Sequence, residues 1–310
     1  MENEEIKHKR MQRGERPAPV WAYVLIGIGA FWLLANLGIF SGLWRLWPLI
    51  LIVVGVLLLT QRGRVLPVKK AHLSAPLEDA QSARVKIHLS VGKATVAALT
   101  DSDQLIEADL GYRGEIEFNV SGDTERIVNL RQTSGFDMGW INPATWFSGQ
   151  EDLRWDVGLS PQVPTRLDVR GGAGYADLDL SKLQLTGLDV QGGLGKVDLS
   201  LPAMEQSYDT VINVGVGEVN VTVPDGAATD MHIHGGVGEV RLDLPDKVAA
   251  RIKARMGVGS VNVSSRFNQI SSEGVSGLGG KGVWETTDYA NAERRINIDF
   301  DGGIGELKVR

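Results

Sequence analysis

A glycine pair that returns at a fixed interval constrains this chain more than any other feature. Gly-x-Gly stands at Gly172/Gly174, Gly193/Gly195, Gly215/Gly217, Gly236/Gly238 and Gly257/Gly259, at intervals of 21, 22, 21 and 21 residues, and again at Gly303/Gly305. The same grammar surrounds each pair. Two alternating apolar residues precede it (Leu188 and Val190; Met231 and Ile233; Ile252 and Ala254; Ile298 and Phe300), and three follow (Val197, Leu199, Leu201; Val219, Val221, Val223; Val240, Leu242, Leu244). Proline closes the unit at Pro202, Pro224 and Pro245, where a backbone without an N–H ends a hydrogen-bonded ladder. One such unit cannot bury its apolar face alone. Stacked units can, each strand pairing with its counterpart about 4.8 Å away.

The repeat therefore predicts a β-solenoid over 171–310, built as strand, glycine bend, strand. Its structural glycines are Gly174, Gly195, Gly217, Gly238, Gly259 and Gly305, because glycine accepts positive φ and lets successive backbones approach. The gap of 46 residues before Gly303 suits two rungs, one of them degenerate near Gly280/Gly282 and Trp284. The last rung would end at Arg310 as an open edge, available to a second copy. Outward-facing columns such as Tyr175, Lys196, Glu218, Glu239, Ser260 and Glu306 mix signs, as expected of solvated side chains that pair across strands.

The N-terminal sixty residues read as membrane-embedded. A polar tail over 1–16 carries five Lys/Arg and four Glu, and Val20–Phe40 then runs 21 residues without a charge. At about 1.5 Å per residue that spans a hydrocarbon core of about 30 Å. A second apolar run, Leu46–Leu59, comes directly after, with Trp44 and Trp47 suited to the interface. The expectation is a two-helix transmembrane hairpin over 17–60; the second apolar run and the lack of an A-x-A-like site argue against a signal peptide. Lys/Arg in the tail and at Arg62, Arg64, Lys69 and Lys70, against Arg45 alone in the loop, put both ends in the cytoplasm. A re-entrant second segment would instead place the β-rich remainder of the chain outside.

A linker over 61–80 leads to an N-terminal β module over 81–170, where Val85, Ile87 and Leu89 alternate with Arg84, Lys86 and His88. An insert from Ser134 to Trp155 interrupts it. The insert carries Phe136, Trp140, Trp146 and Phe147, which read either as a satellite core under a long loop or as a contact site for membrane or a protein partner.

Other chemistry is poorly supported. There are no cysteines, which removes disulfides, iron–sulfur clusters and thiolate sites, and a net charge of −6 with mixed signs leaves no footprint for nucleic acid. Gly-x-Gly lacks the third glycine and the helix of a dinucleotide fold, and the Gly-Gly-x-Gly openings lack the aspartate and nine-residue period of calcium-binding repeats. Gly274–Gly282 misses a P-loop at Val275 and at Gly282, where a glycine and a Ser/Thr are required. His232-x-His234 would point two imidazoles to one face, and Asp177/Asp179 and Asp299/Asp301 are alternating strand carboxylates; surface positions explain all of these. No cofactor and no catalytic residue is expected.

Two stretches carry a family likeness. Trp155-Asp-Val-Gly-Leu-Ser-Pro through Pro164-Thr-Arg-Leu, followed by Gly171-Gly-Ala-Gly174-Tyr-Ala-Asp-Leu-Asp-Leu180, resembles bacterial toast-rack proteins. Gly27-x-Gly29 through Leu37-Gly38, with Leu46-Trp47-Pro48-Leu49, is similar to the membrane region of LiaF-like proteins, whose better-known members have four helices there. The resemblance implies a multi-pass protein of the bacterial cell membrane, linked to envelope-stress and cell-wall-antibiotic responses. It also implies a non-enzymatic role in which the hairpin holds a membrane histidine kinase or another membrane protein inactive. Two alternatives stand beside it: a self-assembling homo-oligomeric scaffold, and a β-helix that binds or cleaves carbohydrate.

Overall fold

The computed structural model describes residues 67–133, 153–274 and 279–310, and every regular element among them is a strand. The hairpin expected over 17–60, the tail 1–16 and Phe136, Trp140, Trp146 and Phe147 lie outside the described residues. No helix among the described residues is long and apolar enough to cross a membrane. The chain divides into two units, Met1–Arg62 and Gly63–Arg310, of which the second is described.

In chain order the strands are β1 Lys69–Pro76, β2 Ser82–Ala98, β3 Gln104–Tyr112, β4 Glu115–Ser121, β5 Glu125–Thr133, β6 Arg154–Leu159 and β7 Thr165–Asp179. They continue with β8 Leu185–Ser200, β9 Tyr208–Thr222, β10 Thr229–Asp243, β11 Ala249–Val263, β12 Phe267–Gly274, β13 Gly280–Thr286 and β14 Arg295–Val309. All belong to one hydrogen-bonded sheet, whose spine is seven parallel strands in the order β2-β7-β8-β9-β10-β14-β11.

Each spine strand folds back on itself at a corner, which is a glycine pair in every one of them but β2. Leu188 and Val190 are buried before the corner and Val197 and Leu199 after it, so the inward phase changes from even to odd across Gly193–Gly195. A Cβ built on Gly192 would lie 3.7 Å from Val197, five residues onward, which a straight strand would hold about 16 Å away. The inner faces of the two arms thus meet, and their aliphatic side chains form one core from Val85 to Val309. Folding back also returns the end of each strand toward its start. Consecutive parallel strands β7 to β11 are therefore joined by only five to seven residues, against a dozen or more for a flat parallel sheet. Turns at Leu180–Leu183, Pro224–Ala227 and Pro245–Val248, each closed by an N–H of the fourth residue to the carbonyl of the first, make these returns.

The ladder admits only glycine at the corner. At Gly174, Gly195, Gly217, Gly238, Gly305 and Gly259, φ lies between 136° and 150°. A Cβ on Gly217 would stand 1.7 Å from the carbonyl oxygen of Gly195, and one on Gly193 2.2 Å from that of Gly172. β2 adds a seventh corner not foreseen from the repeat: Gly92 has φ 136° and aligns with Gly174, and Ser90 occupies the first glycine position.

Both ends of the spine are covered, but unequally. At the head, β5 and then β4 extend the first arm of β2, while β6, β3 and β1 extend its second arm. At the tail, β13 and then β12 extend only the first arm of β11.

Four expectations are revised. Residues 61–80 are not all linker, since β1 pairs with β3 from Lys69 to Pro76. The division at 170/171 falls inside β7, so the two β modules share one sheet. Gly280 and Gly282 belong to no parallel rung, because β13 runs antiparallel to β11. Finally, β14 does not end the stack: it inserts between β10 and β11, and the Arg310 N–H donates to the Leu242 carbonyl while the Arg310 carbonyl accepts from Leu244. The open edge expected at Arg310 is therefore filled.

Gly217→Ala should destabilise the domain by about 2–4 kcal/mol, combining a strained φ with a backbone clash. Gly171→Ala, with no atom within 4 Å of its Cβ, should stay within about 0.5 kcal/mol. Denaturant titration of the two variants checks the contrast.

Candidate interaction surface

The residue between the two glycines of each corner projects from the outside of the fold. In register across the spine these are Val91, Ala173, Leu194, Val216, Val237, Ile304 and Val258. Except for Ala173, each is a large aliphatic, between 45% and 57% exposed. Six steps of about 4.8 Å make a ridge about 29 Å long. Single exposed aliphatics need no explanation, but a row of them, broken only at Ala173, is a candidate contact surface.

A groove of about 730 Å³ runs beside the corner on the outer face. His88, Arg170, Gln191, Asn213 and His234, one from each of five adjacent strands, line it over a floor of the first corner glycines. Asp168 accepts two hydrogen bonds from Arg170 (3.0 and 3.1 Å) and Asp189 accepts one from Gln191 (3.2 Å), which fixes those two side chains. Burial, and next the neighbouring Arg170 charge, lower the His88 pKa, so its imidazole favours the neutral form. The groove offers a row of hydrogen-bonding groups without a net charge of one sign.

On the second arms, the mixed-sign columns close into a network that crosses six strands. Tyr175 donates to Asp198 (2.6 Å), which also accepts from Asn220 (2.6 Å); Asn220 in turn donates to Glu218 (2.9 Å). Arg241 bridges Glu218 (2.7 Å) and both oxygens of Glu239 (2.9 and 2.8 Å). Lys308 bridges Glu239 (2.7 Å) and Glu306 (2.8 Å), and Asn262 donates to Glu306 (2.6 Å). The insertion of β14 is what places Lys308 between Glu239 and the β11 side chains.

This network holds its carboxylates ionised. The hydrogen bond from Asn220 is the main cause of the lowered Glu218 pKa, and that from Lys308 lowers both Glu239 and Glu306. Burial opposes ionisation at Asp198, but bonds from Tyr175 and Asn220 and the charge of Lys196 outweigh it. Tyr175 is pushed up to about 12, first by its bond to Asp198 and then by burial.

The remaining sequence candidates separate clearly. Trp155, at the end of the aromatic insert, is fully buried on β6 and belongs to the core. His232 and His234 are both exposed on the outer face of β10. Among the described residues no three His, Asp or Glu side chains gather as a metal-binding set. The stretch resembling a P-loop leads from β12 into strand β13 rather than into a helix. The ridge was missed because the middle residue of Gly-x-Gly reads as a spacer; its signal was that Val, Leu or Ile fills it in nearly every unit.

Residues 66–222 match the N-terminal domain of toast_rack, DUF2154, from just before β1 to the end of β9. Residues 20–72 match the LiaF transmembrane domain. The chain belongs to the LiaF-like toast-rack family. Its toast-rack domain is similar to a candidate cell adhesion protein of Clostridium sporogenes, at 19% identity and a TM-score of 0.51, covering 78% of this chain and 99% of that one. A candidate adhesin of Bacteroides fragilis matches at 9% identity and a TM-score of 0.25, over 78% and 97% of the two chains. No curated protein is significantly similar. The first likeness shows the fold, and the LiaF segment makes this a membrane-associated protein.

A carboxylate held low in the fold contributes stability above its unfolded pKa and loses it as pH falls through the folded value. The melting temperature of the toast-rack domain should therefore decline as pH drops below 4.5, the ordinary value for Glu218, Glu239 and Glu306. Because these groups remain partly open to solvent, which screens them, the slope should be shallow. Lys308→Ala should flatten it, and a pH series of melting curves reads both. Ultraviolet titration should find Tyr175 ionising near 12, and Asp198→Ala should bring it down toward 10.

Proposed function

We propose that the protein is a non-enzymatic, membrane-anchored regulator of a bacterial cell-envelope stress response, and that its toast-rack domain is the contact surface for a membrane partner. A membrane histidine kinase held inactive is the partner this reading favours, with the domain on the cytoplasmic side. The observation that carries it is the aliphatic ridge at the corners. Rigid backbone on both sides of each ridge residue means that little ordering is required on contact, which favours recognition by a preformed face.

The electrostatics support a role without catalysis. General acid–base work requires a carboxyl group raised toward neutral pH in a cleft. Among the described residues the carboxylates with shifted pKa (Asp198, Glu218, Glu239, Glu306) are all shifted downward and engaged by Lys, Arg, Asn or Tyr. A polysaccharide-cleaving site would need the opposite shift. The scaffold alternative has lost its proposed edge, since β14 lies inside the sheet.

Deleting the gene should raise basal output of an envelope-stress reporter. The double variant Leu194→Ser/Val216→Ser should do the same at unchanged protein level, because both side chains are about half exposed and contribute little to the core. Unchanged reporter output in both strains, with no membrane protein co-purifying with the wild type, would defeat the proposal. Protease treatment of intact spheroplasts checks the side: cleavage of the toast-rack domain from outside would remove a cytoplasmic partner.

A further inference from the structure

Among the described residues the sheet has several free edges, and all but one are blunted. The β1 edge carries Lys69, Lys70 and Pro76; the β4 edge carries Glu115 and Glu117; the β12 edge carries Glu273 and a register break between Gln269 and Ser271. Charge, proline and irregularity are the usual guards against strand addition. The second arm of β11, Gly257-Val-Gly-Ser-Val-Asn-Val263, has none of these, and it pairs regularly with β14 on one side. On its other side β13 covers only Arg251–Met256, so among the described residues Val258–Val263 have no neighbouring strand.

The core is unfinished at the same place. Val261 and Val263 are half-buried, whereas their counterparts Leu307 and Val309 on β14 are 0% and 2% exposed. A cavity of about 240 Å³ lies between Val261, Gly259 and Met256 on one side and Gln269, Lys281 and Trp284 on the other. It is where the inward side chains of a further second arm would sit, under the β12–β13 hairpin.

We propose that Val258–Val263 is a strand-addition site for a single extended segment of a partner protein. The segment adds about six residues to the edge by main-chain hydrogen bonds, with aliphatic side chains at alternate positions entering the cavity beside Val261 and Trp284. The residue beside Gly259 must be glycine, for the reason that governs every corner of the spine: a Cβ there meets the preceding carbonyl. A second copy fits less well. Two β11 arms paired about a two-fold axis would bring both β12–β13 hairpins to the same side of the joined sheet, each in the place of the other. This site shares only Val258 with the corner ridge and does not depend on the stress-response reading.

The test uses the full chain in detergent micelles and, as probe, a fluorescein-labelled peptide of the chain's own rung sequence Gly238–Leu244 (Gly-Glu-Val-Arg-Leu-Asp-Leu). Anisotropy should show saturable binding, and a peptide of the same composition with its aliphatic residues moved to the other register should not bind. Val261→Lys, which points a charge into the cavity, should weaken binding about tenfold or more. Should that variant fail to fold, hydrogen exchange on the wild type decides: the peptide should protect Val258–Val263 and leave β1, β4 and β12 unchanged. Absence of saturable binding, equal binding of the shifted peptide, full affinity in folded Val261→Lys, or protection at another edge would each overturn the proposal. Leu194→Ser/Val216→Ser should leave peptide binding intact, so failure of this site and failure of the ridge are told apart.

Discussion

At each corner of the spine, the carbonyl oxygen of one strand occupies the space that the next strand's Cβ would need. A Cβ at Gly195, Gly217, Gly238, Gly259 or Gly305 would fall 1.7–1.8 Å from that oxygen. This contact does two things together. It demands a residue without a side chain, and it demands one that accepts φ near 140°, so that each strand turns at the same point as its neighbour. The in-register parallel pairing of arms on both sides is the consequence, because a slip of one residue would drive a side chain into a carbonyl at every corner.

From the shared corner come the other properties of the domain. Fold-back brings two inward faces together, so that a strand of about fifteen residues contributes to the core from both its halves. It also shortens the return path, which explains how successive parallel strands are joined without helices. The outside of the corner is where this economy leaves a residue exposed, because the middle position can face neither arm. Selection for solubility alone would fill it with polar side chains. Val, Leu or Ile at six of the seven positions is thus a property of the outer surface and not of the fold.

Much of this was legible in the sequence, in unequal parts. The interval of 21–22 residues and the apolar pairs around it identified Leu188, Val197, Ile233 and Val240 as core, because period and burial have the same cause. Neighbour order was not legible. The corner imposes the same requirement on every strand, so Gly303/Gly305 fits beside any other pair, and only the structure places it between Gly236/Gly238 and Gly257/Gly259. Gly92 escaped notice because Ser90 breaks the motif. Its strand stands at the head of the spine with no corner strand behind it, so the clash that forbids a Cβ at the first glycine is relaxed there. Gly92 itself stays glycine, since a Cβ would lie 2.4 Å from the Leu153 carbonyl.

The displaced order of β14 and the bare edge of β11 have a common logic. Were the strands stacked in chain order, Glu306, Lys308 and Arg310 would stand at the end of the sheet, a charged strand of the kind that resists further pairing. Inserting β14 one place inward pairs Lys308 with Glu239 as well as Glu306, and lets Glu306 accept a hydrogen bond from Asn262. The strand left outermost among the described residues is then the one whose outward residues, Ser260 and Asn262, carry no charge, and whose inward Val261 and Val263 have no covering strand there. The hairpin of β12 and β13 covers the first arm of that strand while leaving the second arm uncovered. A chain that merely terminated its sheet had a charged strand available for the purpose and buried it instead. That arrangement separates the tail of this domain from an ordinary capped end, and makes the uncovered arm a feature of the fold's topology rather than of a single residue.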